Sequence, residues 1–194
     1  MRIGIDMDEV IADWVNAVLK FYHTKTGKKH DKEEFKEYKL WPVWGISKEE
    51  AIKIVDEFHE IHTPPEVIPI KDAIISLKSL MQNNEVIIIT GRPIRFNHKL
   101  KDWLKYYLGE NNLEIINAGD FHKSQAASKA EICIEKSIPI LLEDSPETAS
   151  ECAAAEIKVI LFDAPWNNGI THKNIIRVSN WQEALSSIKI LENK

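Results

Sequence analysis

Cysteine, long apolar runs and an excess of basic charge are all scarce in this 194-residue chain. Its two cysteines, Cys133 and Cys152, cannot build a disulfide framework and suit a reducing compartment. No apolar run approaches the ~18 residues of a membrane span. The opening Met1-Arg2-Ile3-Gly4-Ile5-Asp6 lacks the apolar core and small-residue cleavage site of a signal peptide. A cytoplasmic location with no membrane partner is the expectation. With 25 basic and 30 acidic side chains the net charge is −5, which argues against a nucleic-acid polymer as partner. Lysines are scattered, so a local positive pocket for a small anion remains open. Internal repeats and low-complexity tracts are missing too. What is present is a globular composition, 44% hydrophobic, at a length that fits one domain with a small insertion.

Short β-branched runs ended by polar residues read as buried parallel strands: Val86 to Thr90, Ile138 to Leu142 and Lys158 to Phe162. Arg2 to Ile5 is a shorter version, and Leu113 to Ile116 a weaker one. Between them lie helical periodicities. Ile11 to Phe21 places Ile11, Val15, Val18, Leu19 and Tyr22 on one face; Asp72 to Met81 does so with Ile74, Ile75, Leu77, Leu80 and Met81. Asn97 to Leu108 carries Leu100, Trp103, Leu104 and Tyr107, and Ser128 to Glu135 carries Ala130, Ile132, Cys133 and Ile134. Asn180 caps a last helix running to about Leu191. Strands alternating with such helices predict an α/β fold with a mostly parallel sheet.

Residues 22–69 break the alternation. They offer no convincing strand but hold a charged, aromatic segment from Lys32 to Trp44. A helix follows from Ser47, signalled by a capping box with Glu50 and by Ala51, Ile52, Val55 and Phe58. Pro64-Pro65 and Pro69 close the stretch. It is too long for a plain loop and reads as a small helical cap inserted into a core of residues 1–21 and 70–194.

Three strands end in chemistry. The first closes on Asp6-Met7-Asp8-Glu9, the Val86 run on Thr90-Gly91-Arg92-Pro93, and the Ile138 run on Glu143-Asp144-Ser145-Pro146. In parallel sheets, ligands bind beyond the carboxyl ends of the strands. Carboxylates gathered there repel one another unless a cation is present, and a hard divalent ion such as Mg²⁺ is the natural partner for oxygen ligands. Such an ion would also admit a phosphate next to the acids, which points to phosphoryl transfer. Each piece alone has an ordinary reading: Asp-x-Asp is most often a solvated turn, and Asp144 or Ser145 before Pro146 is a helix cap. The order and placement of all three are what carry weight.

Asp6-Met7-Asp8-Glu9-Val10, Thr90, a downstream lysine and Glu143-Asp144 resemble the four motifs of the haloacid dehalogenase superfamily of phosphatases. The resemblance implies a Rossmann-like sheet with a cap after the first motif, and an aspartyl-phosphate mechanism. Under it Asp6 is the nucleophile, Asp8 the general acid and base, and Thr90 a hydrogen-bond donor to the phosphoryl group. Asp6 and Asp144 are metal ligands, Glu143 acts as a further ligand or through water, and the Asp8 carbonyl also touches the ion. The lysine is Lys129 at a helix start, with Lys123 as the alternative.

A narrower likeness is to 5′(3′)-deoxyribonucleotidases and related nucleotidases. It rests on Ile3 to Asp8, the tryptophan-bearing insertion, Glu143 to Glu147 and Phe162-Asp163-Ala164-Pro165-Trp166-Asn167. It implies a nucleoside monophosphate as substrate, with Trp41, Trp44 and Phe35 stacking on the base. The competing role for these aromatics is to seal the cap against the core. Gly91, Arg92 and Arg95 are candidates for phosphate contact or for pairing with acidic neighbours. The chain departs from the mammalian enzymes at Thr90 to Pro93 and at Glu143, where they carry aspartate. Another small phosphorylated metabolite, or a catalytically silent phosphate-binding protein, is the alternative, and oligomerisation stays open. His59-Glu60-Ile61-His62 does not match a zinc motif and reads as two solvated histidines; Cys133 reads as core, and Asn167-Asn168-Gly169 as a turn.

Overall fold

A computed structural model describes residues 1–118 and 127–192. The chain runs β1 (Arg2–Ile5), α1 (Trp14–Thr26), α2 (Trp41–Trp44), α3 (Lys48–Ile61), α4 (Ala73–Leu80), β2 (Glu85–Thr90) and α5 (Asn97–Leu108). It continues through β3 (Glu114–Asn117), α6 (Lys129–Glu135), β4 (Ile140–Glu143), α7 (Pro146–Ala154), β5 (Lys158–Phe162), β6 (Ile175–Val178) and α8 (Trp181–Glu192). The six strands form one parallel sheet in the order β3-β2-β1-β4-β5-β6. Buried aliphatic side chains dominate the central strands: Ile3 and Ile5 in β1, Val86 to Ile89 in β2, and Ile140 to Leu142 in β4. A sheet covered by helices on both faces demands such runs.

β1 lies at the centre, with β2 and β3 on one side and β4 to β6 on the other. The direction of winding reverses between β1 and β4, the position where open α/β sheets form a crevice. Ile3 pairs with Ile140 and Ile5 with Leu142, so the last residues of the two strands emerge side by side. Gly4 keeps this region tight. A Cβ there would come within 2.9 Å of Ile89 Cδ1 and 3.0 Å of Leu141 Cδ1, so no other residue fits without displacing both.

Several elements differ from the periodicity. β6 carries no alternation strong enough to stand out, and β4 begins at Ile140, after Pro139 has deprived the chain of a ladder donor. Helix α1 starts one turn later than expected, at Trp14, and continues to Thr26, where Gly27 at φ 75° ends it. The expected boundary between residues 21 and 22 therefore lies inside a helix. Ile75 is 70% exposed and Ile134 62% exposed, so neither joins the buried face assigned to it. Ser47 accepts the Glu50 N–H at 3.1 Å and begins α3 as expected. Asn180 likewise accepts from Glu183 at the start of α8.

Residues 22–69 contain no strand. They hold the end of α1, a 3₁₀ turn at Lys32–Glu34, helices α2 and α3, and a second 3₁₀ turn at Pro64–Glu66. The two ends of the segment meet: the Asp13 N–H donates to the Ile68 carbonyl and the Ile70 N–H to that of Ile11. Phe35, Trp44, Ala51, Ile54, Phe58 and Val67 are buried in the same apolar cluster as Ile3 and Ile5. The segment is thus packed onto the sheet above the strand ends.

Candidate active site

The end of β1 delivers Asp6, and the end of β4 delivers Glu143 and Asp144. The Asp6 N–H donates to the Leu142 carbonyl at 2.9 Å, which locks the two chain ends together. Carboxylate oxygens of Asp6, Glu143 and Asp144 lie within 4.8 Å of one another, and all three residues are buried. Lys129, the first residue of α6, places its Nζ 2.8 Å from Asp6 Oδ1 and 2.8 Å from Glu143 Oε2. The helix start that holds it is fixed by a capping box: the Glu131 N–H donates to Ser128 Oγ and the Ser128 N–H to the Glu131 carboxylate.

One ammonium does not offset three buried acids. Burial pushes the Asp6 pKa up to about 7; Lys129 opposes this, while Glu143 and Asp8 reinforce it. Burial also raises Asp144 well above the ordinary carboxylate value, with Glu143 and Asp6 adding to the effect. For Lys129, burial works against the charged form, but Asp6 and Glu143 outweigh it and hold the pKa above normal. Such a cluster is short of positive charge.

The hydrogen bonds show where a cation fits. Glu143 Oε1 accepts the N–H groups of Asp144 and Ser145, and its Oε2 faces Lys129. Asp144 Oδ2 accepts the indole N–H of Trp166 at 2.9 Å, whereas Asp144 Oδ1 is buried without a hydrogen-bond partner. An unpaired buried carboxylate oxygen costs several kcal/mol, and an all-oxygen donor set suits a hard divalent ion. The residues present fit such an ion, with Asp6 and Asp144 as its ligands and Glu143 beside them.

Asp8 stands apart from this cluster. Its two carboxylate oxygens face the guanidinium of Arg92, with Nε 2.9 Å from Oδ2 and Nη2 in contact with Oδ1. The Arg92 backbone is held in turn: its N–H donates to Thr90 Oγ1 at 3.2 Å, and its carbonyl accepts from Asn117 Nδ2. Thr90 is fully buried at the end of β2 and does not line the cavity above, whereas Gly91 and Arg92 do. Arg95 is directed elsewhere and pairs with Asp56 at 2.7 Å. Lys123 lies outside the described residues.

A cavity of about 680 Å³ opens over Asp6, Asp8, Lys129 and Glu143. Its far walls are apolar, formed by Trp14, Val15, Phe35, Trp41, Ile52 and Val55 among others. Phe35 and Trp41 thus face the cavity, but Trp44 does not. Trp44 is 1% exposed and stacks on Tyr22 at 4.1 Å and 5°, which is the sealing role.

Sequence reasoning missed the placement of five residues. Tyr38 lines the cavity, remains exposed on its outer side and meets Trp166 edge-on at 5.7 Å. His59 and His62 are buried rather than solvated, because α3 turns this face toward α1 and the core. His59 also lines the cavity and stacks on Trp14 at 5.8 Å. Its Nδ1 has no partner, and burial, reinforced by Arg92, lowers its pKa well below normal. Trp166 binds Asp144, and Asn167 donates to the carbonyls of Asp144 and Phe162. Their motif was visible in the sequence, but nothing in it says which atoms they reach.

This sheet order, with acids at the ends of β1 and β4 and a lysine between them, defines a hydrolase of the haloacid dehalogenase superfamily. A family model described as "5' nucleotidase, deoxy (Pyrimidine), cytosolic type C protein" matches residues 1–193, and the chain belongs to that family. It is 27% identical over 186 residues to a protein of Halalkalibacterium halodurans named "Putative nucleotidase BH1399", covering 94% of this chain and 90% of that one. A nucleotidase of Clostridium acetobutylicum is 24% identical, covering 100% and 96%. Among solved structures, a haloacid dehalogenase-like hydrolase from Streptococcus pneumoniae superimposes with a TM-score of 0.68 at 15% identity, covering 96% of this chain and 97% of that one. The chain is therefore a nucleotidase-type phosphoric ester hydrolase. None of its described helices is long and apolar enough to cross a membrane.

Proposed function

We propose that the protein is a Mg²⁺-dependent phosphatase of nucleoside monophosphates that works through an aspartyl-phosphate on Asp6. The observation that carries this reading is Asp6 itself: a buried carboxylate facing an open cavity, with Lys129 on one oxygen and Asp144 beside it. Bound between Asp6 and Asp144, a Mg²⁺ ion would neutralise phosphoryl charge that the acids otherwise repel.

A carboxylate oxygen of Asp6 attacks phosphorus and the bond to the leaving oxygen breaks, so the phosphoryl group passes to Asp6. Lys129 stays between Asp6 and Glu143 and offsets charge on the transferring oxygens. Arg92 is drawn from Asp8 to the incoming phosphate dianion, and the freed Asp8 carboxylate takes up a proton from solvent and passes it to the leaving oxygen. Asp8 then takes a proton from water, whose oxygen attacks phosphorus and releases Asp6 with inorganic phosphate. The apolar walls with Trp41 and Phe35 suit a flat nucleobase, since aromatic faces stack on bases. We place the insertion of residues 22–69 in the role of a cap, and the enzyme in the cytoplasm. The family's cytosolic description and two free cysteines support that location.

Mg²⁺-dependent hydrolysis of p-nitrophenyl phosphate tests the chemistry. Asp6→Asn should abolish it, and activity surviving that change would remove Asp6 as nucleophile. A panel of ribo- and deoxyribonucleoside monophosphates against sugar phosphates tests the substrate. A preference for sugar phosphates would overturn the nucleotide reading.

A further inference from the structure

Glu9 directly follows the Asp8 position yet has no part in the chemistry above. It is buried, and its backbone is left-handed at φ 61°, a conformation that residues other than glycine seldom adopt. One oxygen accepts the Val15 N–H at 2.6 Å in the first turn of α1. The other contacts the Nζ of Lys32, which belongs to the insertion. The same Lys32 ammonium lies 5.3 Å from the centroid of the Trp166 ring. Tyr38, also from residues 22–69, meets that ring edge-on at 5.7 Å. Trp166 in turn donates to Asp144 Oδ2 and leaves Oδ1 as the unpaired oxygen of the cluster.

We infer that Lys32 is a positioning residue for the cation site: by pairing with Glu9 and covering Trp166, it holds the Asp144 carboxylate in the orientation that binds the ion. This inference rests on the reading of Asp6 and Asp144 as cation ligands. The physical reason is preorganisation. A ligand carboxylate free to rotate loses order on binding, and residues behind the ligands that prevent this are worth about 10- to 100-fold in metal affinity. Lys32 is reached only when the insertion is packed on the core, so the placement of the insertion and the order of the cation site are coupled.

Isothermal titration of the full-length protein with Mg²⁺ tests this, alongside kcat and KM on the best monophosphate. Lys32→Met keeps the apolar stem and removes the charge; it should weaken Mg²⁺ binding about tenfold and lower kcat at fixed Mg²⁺, with KM within about twofold of wild type. Lys32→Arg should restore Mg²⁺ affinity, since a guanidinium can both pair with Glu9 and cover an indole. The double variant Glu9→Gln/Lys32→Met leaves no unpaired buried ion. It covers the case in which the single change unfolds the chain, and it should bind Mg²⁺ as weakly. A folded Lys32→Met or double variant that binds Mg²⁺ like wild type overturns the inference while leaving the proposed function intact. Wild-type protein that binds no Mg²⁺ overturns both.

Discussion

Arg92 covers both carboxylate oxygens of Asp8 across 84 residues of sequence, and is itself buried. With both oxygens occupied, Asp8 is free to meet a substrate only when something else attracts the arginine. Arg92→Lys keeps the charge but loses the fork. It should reduce kcat/KM for a monophosphate by about 10- to 100-fold, the size of one lost hydrogen bond between charged groups, with the thermal midpoint little changed. An unchanged kcat/KM would mean that the arginine serves only the fold.

Lys129 has the opposite balance of roles. Replacing it by Met leaves Asp6 and Glu143 buried with no cation between them. A loss of about 3–5 kcal/mol in unfolding free energy is expected, as for other buried pairs deprived of one partner, together with loss of phosphatase activity. Adding Glu143→Gln should recover part of the stability but none of the activity. Denaturant unfolding and p-nitrophenyl phosphate turnover separate the two effects.

The tryptophans of the insertion should divide by location. Trp44→Ala empties a fully buried site against Tyr22 and should cost about 3–5 kcal/mol of stability. Trp41→Ala, on the cavity wall, should leave stability nearly intact and raise KM for a nucleoside monophosphate. The loss of one base stack, about 1–3 kcal/mol, sets the scale. Equal KM values for p-nitrophenyl phosphate in both variants would complete the distinction.

Stability should depend on pH through His59. Burial, then Arg92, His62 and Arg95, lower its pKa below the ordinary 6.5 in the folded state. As pH falls below that value the unfolded chain takes up a proton that the folded chain refuses. The contribution to stability is therefore complete above about pH 6.5 and is lost as pH falls toward the folded value. Asp6, with its raised pKa, acts in the opposite direction, so the comparison must be between proteins. The stability difference between wild type and His59→Asn, from urea unfolding at pH 5 to 8, should favour wild type less at the acid end. A difference independent of pH would mean that His59 has the same pKa in the folded and the unfolded chain.

Much of the architecture was legible because its signals are local. The runs around Ile3, Ile88, Leu141 and Ile160 are too short and too β-branched for helices, and each ends in residues that cannot continue a buried strand. Asp6, Thr90, Glu143 and Asp144 could be picked out for the same reason, as polar residues placed where apolar runs stop, whereas Lys129 came only from the family resemblance and its place at a helix start. The weak points were edges and faces: β6, Ile75, Ile134 and the buried pair His59 and His62. Their environment is set by which neighbour arrives from elsewhere in the chain, and periodicity carries no record of that.

The order of amino acids by itself determined most of the alternation of strands and helices and the identities of the acids at the strand ends. Tertiary structure alone decided which acid meets which cation. Lys129 stands between Asp6 and Glu143, Arg92 occupies Asp8, and Trp166 holds one oxygen of Asp144 while the other stays unpaired. Local preferences act over a few residues, whereas these pairings join positions 14 to 123 residues apart. They exist only because adjacent parallel strands bring their carboxyl ends to one edge of the sheet.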